Sequence, residues 1–278
     1  MTNRKIAFIG GGNMTRAIAG GMVEGGFEAA ELLISEPNAD ARKTLTSSLP
    51  GATISASNKH IATGADCIVL AVKPQVLAEV CRDLSETIQL SKPLIISIAA
   101  GVRSRDIDNW LGGGLSVVRI MPNQPALLRL GVSGLYANDR TSKMERERAA
   151  DIISAVGAVV DVNSEADIDA VTAVSGSGPA YFFLLIDVLA KTAVEFGIDA
   201  VAARTLAIET ATGAAALAAH GDAAIDDLIA RVRSPGGTTA AALDSLEAAN
   251  VRAIFAEAIF AARDRAVVLA DAAHNNQT

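Results

Sequence analysis

From Ile6 to about Val162 the chain alternates short apolar or β-branched runs with longer stretches of helical periodicity. The runs are Ile6–Ile9, Leu32–Ser35, Cys67–Val72, Leu94–Ala99, Val117–Met121, Val132–Ala137 and Ala158–Val162. Most are continuously apolar rather than alternating, as strands covered on both faces are, and the pattern predicts a doubly wound parallel sheet. After about Ser164 the β-type runs stop and alanine-rich helical segments continue to the end. The chain is therefore predicted to be α/β over residues 1–164 and all-α over 165–278.

Within the helical part, Asp167–Ala173 reads as a short helix or a linker. Ser175–Tyr181 opens a long helix with Pro179 in its first turn, ending near Phe196 at Gly197. The following helix, about Asp199–Ala219, is apolar around most of its circumference. Such a helix is normally buried on several sides, and because the helical domain is too small to do that alone it is predicted to pack against a second copy, the alternative being the core helix of a monomer. Asp222–Val232 reads as a further amphipathic helix, and Arg233–Thr239 as a loop into a helix over Ala240–Ala249.

The first strand runs into Gly10-Gly11-Gly12-Asn13-Met14. Gly10 and Gly12 permit a tight turn and close approach to a ligand, and a helix opening at Asn13 and Met14 would point unpaired amides at an anion. Thr15 stands where the third glycine of a G-x-G-x-x-G fingerprint belongs, with Ala17 and Gly20 left to supply close helix packing. The stretch is thus either the diphosphate site of a Rossmann-like dinucleotide-binding domain or an ordinary strand-to-helix turn. Glu36 follows the second strand, where a carboxylate would take the ribose hydroxyls and favour NAD over NADP; the alternative is a solvated loop acid. Two further strands end at Lys73-Pro74 and Ala100-Gly101, on the carboxyl edge where such folds bind ligands. A second cradle is Ser234-Pro-Gly-Gly-Thr-Thr239, where Gly236 and Gly237 clear space over the amides of Thr238 and Thr239, unless it is only a capped helix–loop–helix turn. Met121–Ala126 and Ser175–Tyr181 are two more turn-rich stretches that one cleft could gather.

The 278 residues carry a net charge of −7, which argues against a nucleic-acid surface. No signal-peptide core and no apolar run of membrane-span length is apparent, so a cytoplasmic protein is expected. Cys67 and Cys81 have no metal-type spacing and read as buried free thiols; no metal site is expected. His60, His220 and His274 fall at predicted loop, helix-end and tail positions outside every motif.

Taken in order, Gly10–Met14, Ala71-Val-Lys-Pro74, Ser97–Gly101, Arg119-Ile-Met-Pro-Asn123, Ala173–Tyr181 and Ser234–Thr239 resemble the pyrroline-5-carboxylate reductase family over essentially the whole chain. Gln124 departs from the threonine of the family's Met-Pro-Asn-Thr-Pro stretch. The resemblance implies a Rossmann-like domain followed by a helical dimerisation domain, and hydride transfer from NADPH or NADH to the imine carbon of 1-pyrroline-5-carboxylate, giving L-proline. It implies substrate contacts at Ser234, Gly236, Gly237, Thr238 and Thr239, with the Thr239 hydroxyl on the ring nitrogen as the catalytic group. Cofactor contacts are implied at Gly12, Asn13, Met14, Ser35, Asn58, Val72, Lys73, Ala99 and Ala100, with Lys73 alternatively an exposed strand-end lysine; Gly10, Glu36 and Pro74, read from their positions, complete the expected cofactor site. Partners are the small-molecule substrate and further copies in a homo-oligomer built from dimers, without nucleic acid or membrane. The rival layout, a 3-hydroxyacid dehydrogenase of the 6-phosphogluconate type, needs a lysine base where this chain has Phe182, which cannot accept a proton. A catalytically silent nucleotide-binding regulator would not need the second cradle.

Overall fold

The computed structural model describes residues 5–275, which form two compact units, 5–176 with 262–275 and 177–261. The first unit is built on β1 (Ile6–Ile9), followed by α1 (Asn13–Glu24), β2 (Leu32–Ser35), α2 (Ala39–Ser48), β3 (Thr53–Ser55) and α3 (Asn58–Ala62). Next come β4 (Cys67–Leu70), α4 (Pro74–Ser91), β5 (Leu94–Ser97), α5 (Ser104–Trp110) and β6 (Val117–Met121). The sheet finishes with β7 (Gly131–Ala137), α6 (Lys143–Ser154) and β8 (Gly157–Asp161), after which α7 (Asp167–Val171) runs into a π-helical turn, Thr172–Gly176. Strand order is β3-β2-β1-β4-β5-β6-β7-β8. The crossover from β2 to β4 on either side of β1 makes β1/β4 the point where the winding reverses.

Alternate residues of each central strand feed opposite faces. Ile6 and Phe8 join Ile18, Met22, Leu45 and Ile153 in one core, whereas Ala7 and Ile9 join Ile61, Leu77, Leu84 and Ile107 in the other. Helices therefore cover both sides of the sheet, which is why its strands read as continuous apolar runs.

Three features differ from the sequence expectation. The sheet is mixed: β6 and β7 are antiparallel, and Thr53–Ser55 is an additional strand. Residues 122–130, which join β6 to β7, are fewer than the dozen or so that a parallel crossover requires. β3 is a short, half-exposed edge strand without the apolar run of the central strands. The first unit also continues to Gly176, beyond the expected boundary at 164, and includes 262–275.

The second unit comprises α8 (Gly178–Glu195), α9 (Ala200–Ala219), α10 (Ile225–Val232), α11 (Thr238–Ala248) and the first part of α12 (Val251–Asn275). Pro179 sits in the first turn of α8, and Asp199 caps α9 by accepting from the amides of Val201 and Ala202. Of α9 only Ala203 and Ala207 are buried, while Phe182, Phe183 and Leu184 of α8 and Leu206 and Leu217 of α9 are exposed in the single chain. The helical stretch Asp167–Glu195 contains an 18-residue window with a mean hydropathy of 1.5, which meets the length and composition of a membrane crossing. The sequence pattern predicted no such run, because scattered Ser, Gly and Thr residues break the apolar stretch without adding charge.

Cys67 and Cys81 are free and buried, in opposite cores. Burial pushes both thiols up to about 12 from an ordinary 9.0. At low pH both states hold the proton, and above the ordinary value only the unfolded chain releases it. Stability should therefore fall between about pH 9 and 12, by roughly 1.4 kcal/mol per pH unit per thiol. The check is urea unfolding of wild type against Cys67→Ala and Cys81→Ala: the alkaline slope should shrink in each variant, and an unchanged slope would contradict the assignment.

Candidate dinucleotide and carboxylate sites

Gly10 adopts φ +105°, and a Cβ there would lie 2.9 Å from the Ala71 carbonyl oxygen. The turn can thus be made only with a bare backbone, and it seats the loop directly against Ala71 and Val72 at the end of β4. The Gly10 amide donates to the Ser35 carbonyl at 3.0 Å, and the Thr15 hydroxyl donates to the Gly10 carbonyl at 2.6 Å. Fully buried, Thr15 braces the turn from inside in place of the missing fingerprint glycine. Close helix packing comes from Gly21 rather than Ala17 or Gly20: a Cβ on Gly21 would lie 2.4 Å from the Ala155 carbonyl, whereas one on Gly20 would meet nothing.

Gly12 is the N-cap of α1, extended and without a side-chain cap, and a Cβ on it would enter open space. The first amides of α1, at Asn13 and Met14, thus open outward beside a cleared approach, which fits a diphosphate. Arg16 donates to the Asn13 side chain at the rim.

Around this loop the carboxyl edge gathers the other expected positions. The carboxylate of Glu36 is turned inward: Oε2 accepts from the Gly11 amide at 3.1 Å and Oε1 from the Asn38 amide at 2.9 Å. It is therefore a strut between the glycine loop and the segment after β2, not a solvated loop acid. Ser35, expected at the ribose, is fully buried, with its hydroxyl toward the Phe8 carbonyl and its own carbonyl taken by the Gly10 amide, so it supports the edge from beneath. Glu36 donates its amide to the Ser55 carbonyl, and Asn58 opens α3 three residues further on. Lys73 is exposed at the N-cap of α4, with Pro74 in the first turn. Ala99 is buried and Ala100 exposed, in the segment after β5.

Beyond β5, the Asn123 side chain donates to the Ser175 carbonyl at 3.1 Å and accepts from the Val132 amide at 3.0 Å. A Cβ on Gly176 would lie 2.8 Å from Met121 Cε. Two of the turn-rich stretches are thereby joined, while Gln124 is exposed. Sequence reading missed an ionic cluster below them. Arg119 Nη1 donates to Glu165 Oε1 at 2.9 Å, Glu165 Oε1 accepts from the Ser104 amide at 2.5 Å, and Arg103 Nη2 donates to Asp169 Oδ2 at 2.8 Å. Burial lowers the proton affinity of Arg119, and the adjacent Glu165 opposes that shift. An arginine inside an otherwise apolar strand was the available signal.

In the second unit, Gly236 has φ +69° and Gly237 is the extended N-cap of α11, without a side-chain cap. The Gly237 amide closes the turn on the Ser234 carbonyl at 3.0 Å. α11 begins at Thr238 rather than Ala240, so the amides of Thr238 and Thr239 are the free donors of its first turn. An ion pair between Arg233 and Asp244 at 2.5 Å ties the start of this loop to α11. His60 lies in α3 rather than a loop, His220 at the C-cap of α9 and His274 in the last turn of α12.

A doubly wound sheet with a glycine turn at its switch point, followed by a helical unit, defines the class of nicotinamide-dependent oxidoreductases with a separate helical domain. A family model described as NADP oxidoreductase coenzyme F420-dependent matches residues 5–101, and one described as Pyrroline-5-carboxylate reductase dimerisation matches 165–269. The chain is 42% identical to the pyrroline-5-carboxylate reductase of Pseudomonas aeruginosa over 98% of both chains. Its structure is similar to that of the Coxiella burnetii enzyme, with a TM-score of 0.92 and 38% identity over 96% of this chain and 99% of that one. A Plasmodium falciparum pyrroline carboxylate reductase with NADP bound gives a TM-score of 0.84 and 28% identity over 97% and 99%. The chain belongs to the pyrroline-5-carboxylate reductase family.

The two outer glycines of the loop separate folding from binding. Gly10→Ala should cost about 2 kcal/mol or more in unfolding free energy, because it strains φ and meets the Ala71 carbonyl. Gly12→Ala should keep wild-type stability yet weaken reduced-nicotinamide binding about tenfold or more, measured by fluorescence titration. Unimpaired binding by Gly12→Ala would move the diphosphate off this turn.

Proposed function

We propose that the chain reduces 1-pyrroline-5-carboxylate to L-proline with NADPH or NADH, the last step of proline biosynthesis. The carrying observation is the pairing of two uncapped helix starts cleared by glycine, one at Gly12–Met14 and one at Gly237–Thr239, on a family member. The first unit supplies the dinucleotide site, and the second the substrate site and dimerisation. Bound reduced nicotinamide supplies the hydride.

In the first unit the amides of Gly12, Asn13 and Met14 hold the diphosphate, and Gly10 keeps the loop close to β4. Glu36 and Asn58 line the adenosine ribose with Ser35 supporting them from beneath, and Val72, Lys73, Pro74, Ala99 and Ala100 line the remaining strand ends. In the second unit Ser234 and the amides of Thr238 and Thr239 hold the substrate carboxylate, with Gly236 and Gly237 leaving it room. The Thr239 hydroxyl is the catalytic group and bonds the ring nitrogen. As the imine carbon accepts hydride, the C=N electron pair collapses onto that protonated nitrogen, leaving a neutral secondary amine. An iminium is already a strong acceptor, so the protein's task is to orient it, which suits a loop lacking a histidine or carboxylate general acid.

The exposed apolar residues of α8 and α9 exceed what a lone domain leaves in water, which supports assembly through a second copy. The dimerisation match over 165–269, which includes the whole apolar stretch Asp167–Glu195, supports the same reading over a membrane span. In this reading the enzyme is a cytoplasmic homo-oligomer built from dimers, acting without nucleic-acid or membrane partners.

The test is loss of reduced-nicotinamide absorbance with pyrroline-5-carboxylate, and no turnover with either cofactor would defeat the reading. Thr239→Ala should lower turnover about 10- to 100-fold with cofactor affinity unchanged; an equal loss of cofactor affinity would place Thr239 in the wrong site. Light scattering at micromolar concentration should show a dimer or larger species, and a monomer would refute the shared helical core.

A further inference from the structure

Arg119 is the most deeply buried charge of the cluster at the carboxyl edge, its side chain 3% exposed. Taking a guanidinium out of water costs several kcal/mol, and a well-packed apolar pair of similar volume stabilises a core as well or better. Stability therefore does not explain an ionic group here, whereas direction does: a hydrogen-bonded pair fixes the placement of the segments it joins, which dispersion contacts do not.

The segments joined are specific. Glu165, just ahead of α7, accepts at one oxygen from both Arg119 of β6 and the first amide of α5, at Ser104. Arg103, one residue earlier, closes a second link to Asp169 of α7. The loop so fixed is the one that carries Ala99 and Ala100 away from β5. α7 continues into the π-helical turn whose Ser175 carbonyl is held by Asn123. π-Helical turns are concentrated at functional sites. Because the winding reverses at β1/β4 and the ribose strut Glu36 follows β2, a dinucleotide spanning the switch point places its reacting half over β4, β5 and β6.

We infer that Arg119 is a positioning residue for the nicotinamide half of the site: through Glu165, Ser104, Arg103 and Asp169 it fixes the Ala99–Ala100 loop and the π-helical turn in one arrangement. The inference rests on the dinucleotide reading above, and a displaced wall would affect the nicotinamide and leave the adenosine side alone.

The experiment compares wild type, Arg119→Lys and the double variant Arg119→Met with Glu165→Met, which leaves no charge of that pair buried alone. Calorimetric titration with reduced cofactor and with ADP-ribose, which lacks the nicotinamide, reads the nicotinamide's share of binding without turnover. Both variants should bind ADP-ribose as wild type does, lose about threefold or more of the extra affinity for the reduced cofactor, and lose about tenfold or more in kcat. The primary deuterium isotope effect on kcat should rise as hydride transfer becomes limiting. A folded variant that keeps the extra affinity and the wild-type isotope effect overturns the inference, as does an equal loss of ADP-ribose affinity. Should the double variant fail to fold, the same readings on Arg119→Lys decide. Absence of turnover in wild type would defeat the reductase reading, while the binding comparison would still decide the role of Arg119.

Discussion

The left-handed turn at Gly10 is the constraint on which the rest of the first unit depends. A side chain there would overlap the Ala71 carbonyl, so the loop can press against β4 only as bare backbone. Two hydrogen bonds lock it, from the Gly10 amide to Ser35 and from Thr15 to the Gly10 carbonyl, and the Glu36 carboxylate holds the next amide. With those donors and acceptors satisfied inside the protein, the amides that follow at the start of α1 are the ones left for an anion. Packing, hydrogen bonding and ligand chemistry meet in a few residues, and the strand order then determines which edge segments surround them.

Much of the architecture was legible because its physics is local. Continuous apolar runs reveal strands covered on both faces, and Pro179, Gly197 and Asp199 mark helix ends by backbone chemistry that acts within one turn. Strand direction at β7 was also encoded, in the shortness of residues 122–130, but it requires counting a connection rather than reading a run. β3 escaped because an edge strand is not obliged to be apolar.

The candidate sites divide in the same way. Gly10, Gly12, Gly236 and Gly237 announce themselves because only glycine serves where a backbone must turn or clear space. Glu36 was visible as a residue but not as a strut, since its partner amide lies at Gly11, 25 positions earlier. The bond from Thr15 was hidden in an apparent defect of the glycine fingerprint. Arg119, Glu165, Arg103 and Asp169 lie as much as 66 positions apart, and no local rule joins them. Such long-range ionic contacts are also where a sheet edge can be tuned without altering the residues that meet the ligand.

The most direct measurement of the division into two anion sites is a crystal structure with NADP⁺ and L-proline bound. The diphosphate should lie on the amides of Gly12, Asn13 and Met14, and the proline carboxylate on those of Thr238 and Thr239 with the ring nitrogen at the Thr239 hydroxyl. A carboxylate bound elsewhere, or a diphosphate off the Gly10–Met14 turn, would contradict the assignment.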